Sequence, residues 1–412
     1  MGVQPQETDV TNSPCITDFN LRDLPESFYE DPYPTYAALH AFDPVYEMAD
    51  GLFLTRYADL DRIYRDTVTF SSDKQKEFGL KYGRSPLFEH HTSSLVFNDP
   101  PLHTRVRKII AGALTPRAIA EMEGSLITLT DTLLDRIEDQ GKADLIEDFA
   151  SAIPVEVIGN LLDVPHADRG PLRGWSLAIL GALEPAPSEA VLAAGNAAVL
   201  DFVAYLEGLV ADRRAHPGDP DKDVLTRLLA ADKDGTRLSE VELLQNCIFI
   251  LNAGHETTTN LIGNGLQLLI EWPAQRRALL EDPSLITTAI EEFLRFESSN
   301  QLGNRLVAAD TEIGGKAVPA GTQLTLCIGA ANRDPAQFES PGTLDIGRKP
   351  NRHLAFGGGP HLCAGMSLAR LEGQIAISRF AKRFPEYRPA GKPVRGRRAR
   401  FRGFTSLPVD LR

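Results

Sequence analysis

The sequence predicts a mainly α-helical fold with a smaller β region, and three observations carry that reading. Apolar residues recur three and four apart through most of residues 101–229. A further helical stretch of about thirty residues runs from Ser239 to Glu271. The clearest β signal is two short runs, Val45–Met48 and Leu52–Arg56, either side of Ala49-Asp50-Gly51.

The chain has 412 residues, 42% of them hydrophobic, with 43 Lys+Arg against 56 Asp+Glu for a net charge of −13. That is ample material for a large core. The acidic balance argues against whole-surface attraction to nucleic acid or anionic lipid. Cys15, Cys247, Cys327 and Cys363 are too dispersed for a disulfide framework and form no CxxC pair, which fits a reducing, cytoplasmic setting. The first thirty residues are acidic and Pro-interrupted, with no apolar run for a signal or anchor, and Gln6 stands where a myristoylation signal wants Ser or Thr. Neither nucleic acid nor a membrane is an expected partner.

In chain order, residues 1–27 are expected to form a poorly ordered arm, with one domain over 28–412. A helix starts at the Pro-rich stretch Asp31–Pro34. Ala49-Asp50-Gly51 makes the turn of a hairpin. Residues Ser71 to Val96 mix Lys, Gly, Pro and paired His with no clean period and are expected to be a long loop bordering a pocket. Helices follow in RVRKIIAGAL, IAEMEGSLITLTDTLLDRIED, AAVLDFVAYLEGLVADRRA and VLTRLLAAD. They are interrupted by the Gly- and Pro-rich segment Asp168 to Glu189, expected to be loop or short mobile helices. The long helix opens on a capping box, Ser239 with Glu242, and ends before Trp272-Pro273, spanning about 45 Å. Gln245, Asn246, Asn252, His255, Glu256 and Asn260 bar it from a membrane. It is a core helix whose polar groups face something.

The most informative stretch is HLAFGGGPHLCAGMSLARLEGQIAISRF, His353 to Phe380. Gly357, Gly358 and Gly359 allow the backbone to turn its N–H groups inward, and Pro360 stiffens the turn. Cys363 then precedes a helix, whose N-terminus and neighbouring amides are expected to lower the thiol's pKa. Gly365 offers no side chain on the first turn, so a flat macrocycle could lie against it.

The pattern FxxGxxxCxG, here Phe356, Gly359, Cys363 and Gly365, resembles the haem-binding loop of the cytochrome P450 family. A lone Cys in a Gly-rich loop is more often a structural thiol; the full pattern reverses those odds. The resemblance extends over about residues 28 to 412 and implies the cytochrome P450 fold, with haem b (iron protoporphyrin IX) between the long helix and the helix after Cys363. It implies that Cys363 ligates the iron as thiolate and that Phe356, Gly357, Gly365 and Ala253 contact the cofactor. His361 matches a propionate-binding position, as do His103 and Arg107, four apart on one helix face, and Arg305.

AGHETT, Ala253 to Thr258, resembles the family's oxygen-activation motif at Gly254, Glu256 and Thr257. This implies a local groove for dioxygen, a hydrogen bond donated by Thr257 and proton relay by Glu256; a polar cluster bonding its own neighbours is the plainer alternative. His255 reads as a satisfied core or solvent-bonded histidine rather than an axial ligand. EEFLR places Glu292 and Arg295 three apart, and the family's buried network makes Arg352 or His353 their candidate partner. The chain departs from the pattern in few places: Ala364 follows the cysteine, and the acid of the pair is Glu256 rather than Asp.

The implied activity is insertion of one oxygen atom from O2 into a small organic substrate, by hydroxylation or oxidative dealkylation. No flavin, nicotinamide or iron–sulfur fingerprint is present, so a ferredoxin or flavodoxin with an NAD(P)H-dependent reductase is the expected electron source. It would dock on a basic patch of Arg105, Lys108 and Arg352. The pocket is expected between Ser71–Val96, Asp168–Glu189, Ile248–Asn252 and Asn300–Asn304, closed by Phe404 and Thr405. Phe78, Leu80, Leu87, Phe88, Leu95, Val96 and Phe97 supply apolar surface, and Asn300, Gln301 and Asn304 are candidate orienting groups. The basic run KPVRGRRARFR reads as a solvated turn. A peroxide-driven haem oxygenase and a non-catalytic haem sensor are the competing readings, and a zinc site from His353, His361 and Cys363 lacks a regular ligand pair.

Overall fold

The computed structural model describes residues 16, 18–220, 224–230 and 237–412. Its axis is the helix Glu240–Glu271, whose 32 residues begin at Ser239 with both bonds of the capping box in place and stop at Trp272 before Pro273. Its rise of 1.5 Å per residue carries it about 48 Å through the molecule. Helices surround it: Ala152–Leu161, Met366–Arg383, Leu172–Gly181, Pro86–Ser93 and Glu189–Ala215 all pack on it. Covered on all sides, it buries polar residues (Asn246, Asn252, His255, Glu256) together with its apolar ones.

The helices Leu102–Ala113, Pro116–Gln140, Glu189–Ala215 and Val224–Leu229 fall where the periodicity puts them. Two expected loops are largely helical. Residues 71–96 hold Gln75–Tyr82 and Pro86–Ser93, the second capped by the Ser85 hydroxyl on the Phe88 N–H with Pro86 at its first position. The segment 168–189 contains Leu172–Gly181. Helices of eight to ten residues buried on several sides show no single apolar stripe, which is why their sequences read as loops. Among the described residues one helix, Glu189–Ala215, is long and apolar enough to cross a membrane. Its Ala198, Val199, Phe202, Leu206 and Val210 are buried in the protein core.

A five-stranded sheet runs in the order Val45–Met48, Gly51–Leu54, Gln323–Cys327, Leu302–Val307, Phe70–Ser71. The expected hairpin forms with Met48 opposite Gly51, so Ala49-Asp50 alone make the turn and Gly51 is already strand. Residues 1–15 and 17 of the expected arm lie outside the described residues. Phe19, also within it, packs edge-on against Phe53 with ring centroids 5.0 Å apart. At the other end, Phe404–Ser406 pairs with Val394–Arg395, and Pro408–Asp410 with Lys142–Asp144 and Arg388–Pro389.

The basic run is not a solvated turn. Arg397 bridges Glu26, but Arg395 and Arg402 pair with buried Glu297, Arg398 with buried Glu256, and Arg400 reaches the Leu302 carbonyl. The backbone here also pairs with residues 299–301, through Gln301 N–H to the Arg400 carbonyl and Arg402 N–H to the Ser299 carbonyl. A run of like charges is stable inside when carboxylates and carbonyls from distant segments line up against it, which composition alone does not reveal.

Candidate active site

The cysteine loop is built on close backbone approach. Gly357 and Gly359 take φ of +68° and +62°, and a Cβ on Gly359 would lie 2.0 Å from the Tyr64 carbonyl oxygen. Only glycine serves there. Inside the turn, Cys363 N–H donates to the Phe356 carbonyl at 2.9 Å and Leu362 N–H to the Gly359 carbonyl at 3.0 Å. Phe356 lies under the Arg370 guanidinium at 4.8 Å, and Arg370 is held by Glu291, which also bonds His353.

Cys363 is exposed at its own surface, yet loss of bulk water pushes its thiol pKa up, the combination expected of a sulfur that faces an internal void. The expected lowering of the thiol pKa is therefore corrected for the protein by itself. The Gly365 N–H and the charges of Arg107 and Arg370 do favour the thiolate, but loss of water outweighs them. A Cβ on Gly365 would meet nothing within 4 Å, so this side of the void is open and flat.

His103, Arg107, Arg305 and His361 converge beside this loop. His103 and His361 stack with centroids 3.9 Å apart. Arg107 Nη2 donates to the Leu362 carbonyl at 2.5 Å, one residue from Cys363. Arg305 lies over the Tyr64 ring at 5.1 Å and donates to the Asn304 carbonyl. No carboxylate pairs with any of the four among the described residues. Asp99, whose field favours the charged forms of His103 and Arg305, is itself bonded to Ser71 and the Ser72 N–H. His103 Nε2, His361 Nε2 and Arg305 Nε are buried without partners. Burial, then Arg305, His103 and Arg107, push His361 down to about 3. Burial and Arg107 also lower His103. Such a cluster is unfavourable unless something anionic completes it. The open side at Gly365, and the Arg107 and Arg305 guanidiniums without a carboxylate partner beside two imidazoles with buried, unbonded nitrogens, fit a haem with two propionates.

The expected oxygen-activation residues sit midway along the central helix, where Ala253 is exposed and Gly254 and Thr257 are partly so, although neighbouring turns are buried. These three thus border a void. Thr257 donates to the Ala253 carbonyl at 2.8 Å, the back-bonding that loosens a helix. A Cβ on Gly254 would fall 2.2 Å from Ile158 Cδ1, so that glycine has a packing reason of its own. His255 is buried with neither ring nitrogen bonded and is pushed down to about 4 by burial; of the two expected readings, a core histidine satisfied by protein groups is not what the structure shows. Glu256 Oε1 accepts from Arg398 at 2.5 Å while Oε2 is buried without a partner. Burial, against the pull of Arg398, pushes its carboxyl up to about 7.

The Glu292–Arg295 pair is fully buried. Its partner is neither Arg352 nor His353: Arg348 Nε donates to Glu292 at 3.2 Å, Asn351 Nδ2 at 3.1 Å and the Asp345 N–H at 3.0 Å. His353 takes Glu291 instead. Arg105, expected on a docking patch, is bonded to Glu242 and the Arg237 carbonyl, whereas Arg352 is exposed. Among the described residues no three His, Cys, Asp or Glu side chains form a metal-holding group, which leaves zinc without ligands.

A cavity of about 1010 Å³ lies over one face of the sheet, lined by Phe78, Phe97, Leu183, Asn304 and Arg400 among others. Residues between 71 and 81 and between 183 and 187 border it, as expected of the two segments, with Leu302 and Asn304; the expected Ile248–Asn252, Leu87, Phe88, Leu95, Val96, Asn300, Gln301, Phe404 and Thr405 do not line it, and neither do Ala253, Thr257 or Cys363. Phe404 is buried under Arg395, and Gln301 is turned to Tyr33 and the Ser298 carbonyl.

Residues 190–394 match the family model described as cytochrome P450. The chain is 39% identical to a vitamin D(3) 25-hydroxylase of Pseudonocardia autotrophica, over 93% of its own length and 95% of that protein. It is 36% identical to the biotin biosynthesis cytochrome P450 of Bacillus subtilis, over 93% and 97%. Among solved structures, P450BioI in complex with hexadec-9Z-enoic acid ligated acyl carrier protein superposes with a TM-score of 0.88 at 36% identity, covering 94% of this chain and all of that one. A myxobacterial cytochrome P450 in complex with myristic acid gives 0.86 at 34%, covering 94% and 98%.

Proposed function

Because this chain belongs to the cytochrome P450 family, and is therefore a haem-thiolate monooxygenase that uses O2, a small-molecule substrate and redox partners, we propose that Cys363 is its thiolate, that the cofactor is haem b, and that His103, Arg107, Arg305 and His361 hold the propionates. One observation carries this reading: four buried or half-buried basic side chains, none paired with a carboxylate among the described residues, gather beside the cysteine loop, with Arg107 bonded to the carbonyl one residue from Cys363. When bound, the haem supplies activation of O2 and transfer of one oxygen atom to the substrate.

The remaining roles belong to the chain. The Gly365 N–H bonds the Cys363 sulfur and tempers its charge. Phe356, Gly357, Gly365 and Ala253 give the cofactor its flat walls. Glu256, near 7, holds a proton at Oε2 and releases it around neutral pH, with Arg398 fixing the other oxygen. Thr257, whose hydroxyl rests on the Ala253 carbonyl, turns toward the void to pass that proton on. Gly254 keeps this turn of the helix against Ile158.

The substrate is a largely apolar organic molecule, hydroxylated or oxidatively dealkylated; the fatty-acyl and vitamin D names of the relatives support that class. An acidic ferredoxin with its NAD(P)H-dependent reductase delivers electrons near Arg352, at a cytoplasmic location in keeping with the free Cys247, Cys327 and Cys363. Residues 28–412 act as a single domain. The test is the reduced carbonyl complex after loading with hemin. Wild type should give the red-shifted Soret band of thiolate ligation and Cys363→Ser should lose it; an unchanged band in the variant removes Cys363 from the iron. In the same preparation Thr257→Ala should bind substrate normally but divert electrons to hydrogen peroxide, and unaltered coupling takes Thr257 out of the proton path.

A further inference from the structure

We propose that the large cavity over the sheet contains an anion subsite, formed by Arg400 and Lys81, that binds the carboxylate or phosphate-monoester end of a mainly apolar ligand. As an account of the substrate it rests on the monooxygenase reading above; as a binding site it does not.

The argument starts from charge. In a chain of net charge −13, the charged residues lining this cavity are five cations (Arg22, Lys74, Lys76, Lys81, Arg400) against three carboxylates (Asp50, Asp73, Glu77). Two of the cations are already paired: Arg22 with Asp50 at 2.8 Å and Lys74 with Glu77 at 2.6 Å. Lys76 is exposed. Arg400 and Lys81 remain, and among the described residues neither makes an ion pair.

Arg400 is held by neutral acceptors only. Nε donates to the Leu183 carbonyl at 3.3 Å, Nη1 to the Leu302 carbonyl at 2.8 Å and Nη2 to Asn304 Oδ1. A guanidinium has five N–H groups, so two are left over. Lys81 Nζ makes one bond, to the Glu184 carbonyl at 2.9 Å, leaving two of three donors. The carboxylate nearby, Glu184, is turned to the backbone: its Oε2 accepts the N–H groups of Ala399 and Arg400, and burial raises its pKa. Burial first, and the charge of Arg400 second, pull Lys81 down to about 8 against the opposing fields of the Glu77 and Glu184 carboxylates, neither of which is bonded to its ammonium.

The same segment supplies the control. Arg395, Arg398 and Arg402, in the same run as Arg400, each have a carboxylate partner inside the protein. Arg400 has none among the described residues, and it lines the cavity. The lining also offers apolar surface for the body of such a ligand: Phe78, Leu80, Phe97, Leu183, Leu192 and Leu302. An arginine fork with free N–H groups beside such a surface is a recognition element for a carboxylate or phosphate.

The test is calorimetric titration of the haem-loaded protein with three matched probes, dodecanoate, dodecyl phosphate and dodecanol, the haem state being verified separately by the carbonyl spectrum. At least one of the anions should bind about tenfold or more tightly than the alcohol, as charge-assisted bonds at a partly desolvated site allow. Whichever of dodecanoate and dodecyl phosphate binds more tightly identifies the headgroup. Arg400→Gln should remove that preference without changing affinity for dodecanol, and Lys81→Met, nearer the rim, should reduce it even if Arg400→Gln fails to fold. Equal affinity for all three probes, or a preference that survives in Lys81→Met and Arg400→Gln, overturns the subsite. A normal carbonyl spectrum with no anion preference would sink this proposal alone; an abnormal spectrum with the preference intact would sink the haem-thiolate assignment alone.

Discussion

The molecule buries two dense clusters of charged and basic side chains, and they are built on opposite terms. Around Glu292 every charge is answered: Arg295 is bidentate to it, Arg348, Asn351 and the Asp345 N–H fill its remaining lone pairs, and Arg295 turns its other donors to the Asn332, Pro341 and Thr343 carbonyls, with only the Asn351 amide oxygen left over. Around Cys363 four basic side chains share one corner, and three of their nitrogens face nothing. A closed network is complete on folding and serves the fold; an open one carries an electrostatic debt that a ligand settles. The Glu256–Arg398 pair lies between these cases, with one carboxylate oxygen bonded and one bare.

The comparison breaks most visibly on the closed side. Glu292→Ala strands Arg295 and Arg348 in the core and should cost about 3–5 kcal/mol, measured by urea denaturation without hemin. A loss under about 1 kcal/mol would mean that the network is not structural. The intermediate case follows. With its carboxyl raised from 4.5 to about 7, Glu256 favours folding fully below pH 4.5 and loses that contribution as pH rises through 7. The stability of wild type minus that of Glu256→Gln should therefore fall by on the order of 3 kcal/mol between pH 4 and 8. A flat difference would show that Glu256 ionises normally. The open cluster should respond least: Arg305→Gln removes a like charge, so stability without hemin should move by about 1 kcal/mol or less. Hemin affinity by fluorescence quenching should drop about tenfold. A large loss of stability with unchanged hemin affinity would reverse the assignment of the two clusters.

What was legible in the sequence was whatever short spacing encodes. The glycine turn before Cys363, the pairs Glu256-Thr257 and Glu292/Arg295, and the four-residue spacing of His103 and Arg107 all sit within one loop or two helical turns. The capping box at Ser239 was legible for the same reason. The groups that answer them were not. Arg398 reaches Glu256 across 142 residues and Arg348 reaches Glu292 across 56, distances at which no periodicity survives. The segment 392–402 looked solvated because like charges in a row usually are; its counter-charges come from Glu26, Glu256 and Glu297, and no local pattern announces them. The thiol's upward shift was likewise hidden, since a helix N-terminus is visible in sequence while the loss of water around the sulfur depends on the whole pocket.

Tyr64 touches both the cysteine loop and the arginine beside it. Its carbonyl is the surface against which Gly359 closes, and its ring is the one beneath the Arg305 guanidinium. One residue therefore gauges the spacing between the sulfur-bearing turn and the strand that carries the arginine. Thermal drift of the helix Tyr57–Arg65 would carry both along together, as jaws of a single calliper, and the gap between them would outlast motions that shift either one in the molecule's frame.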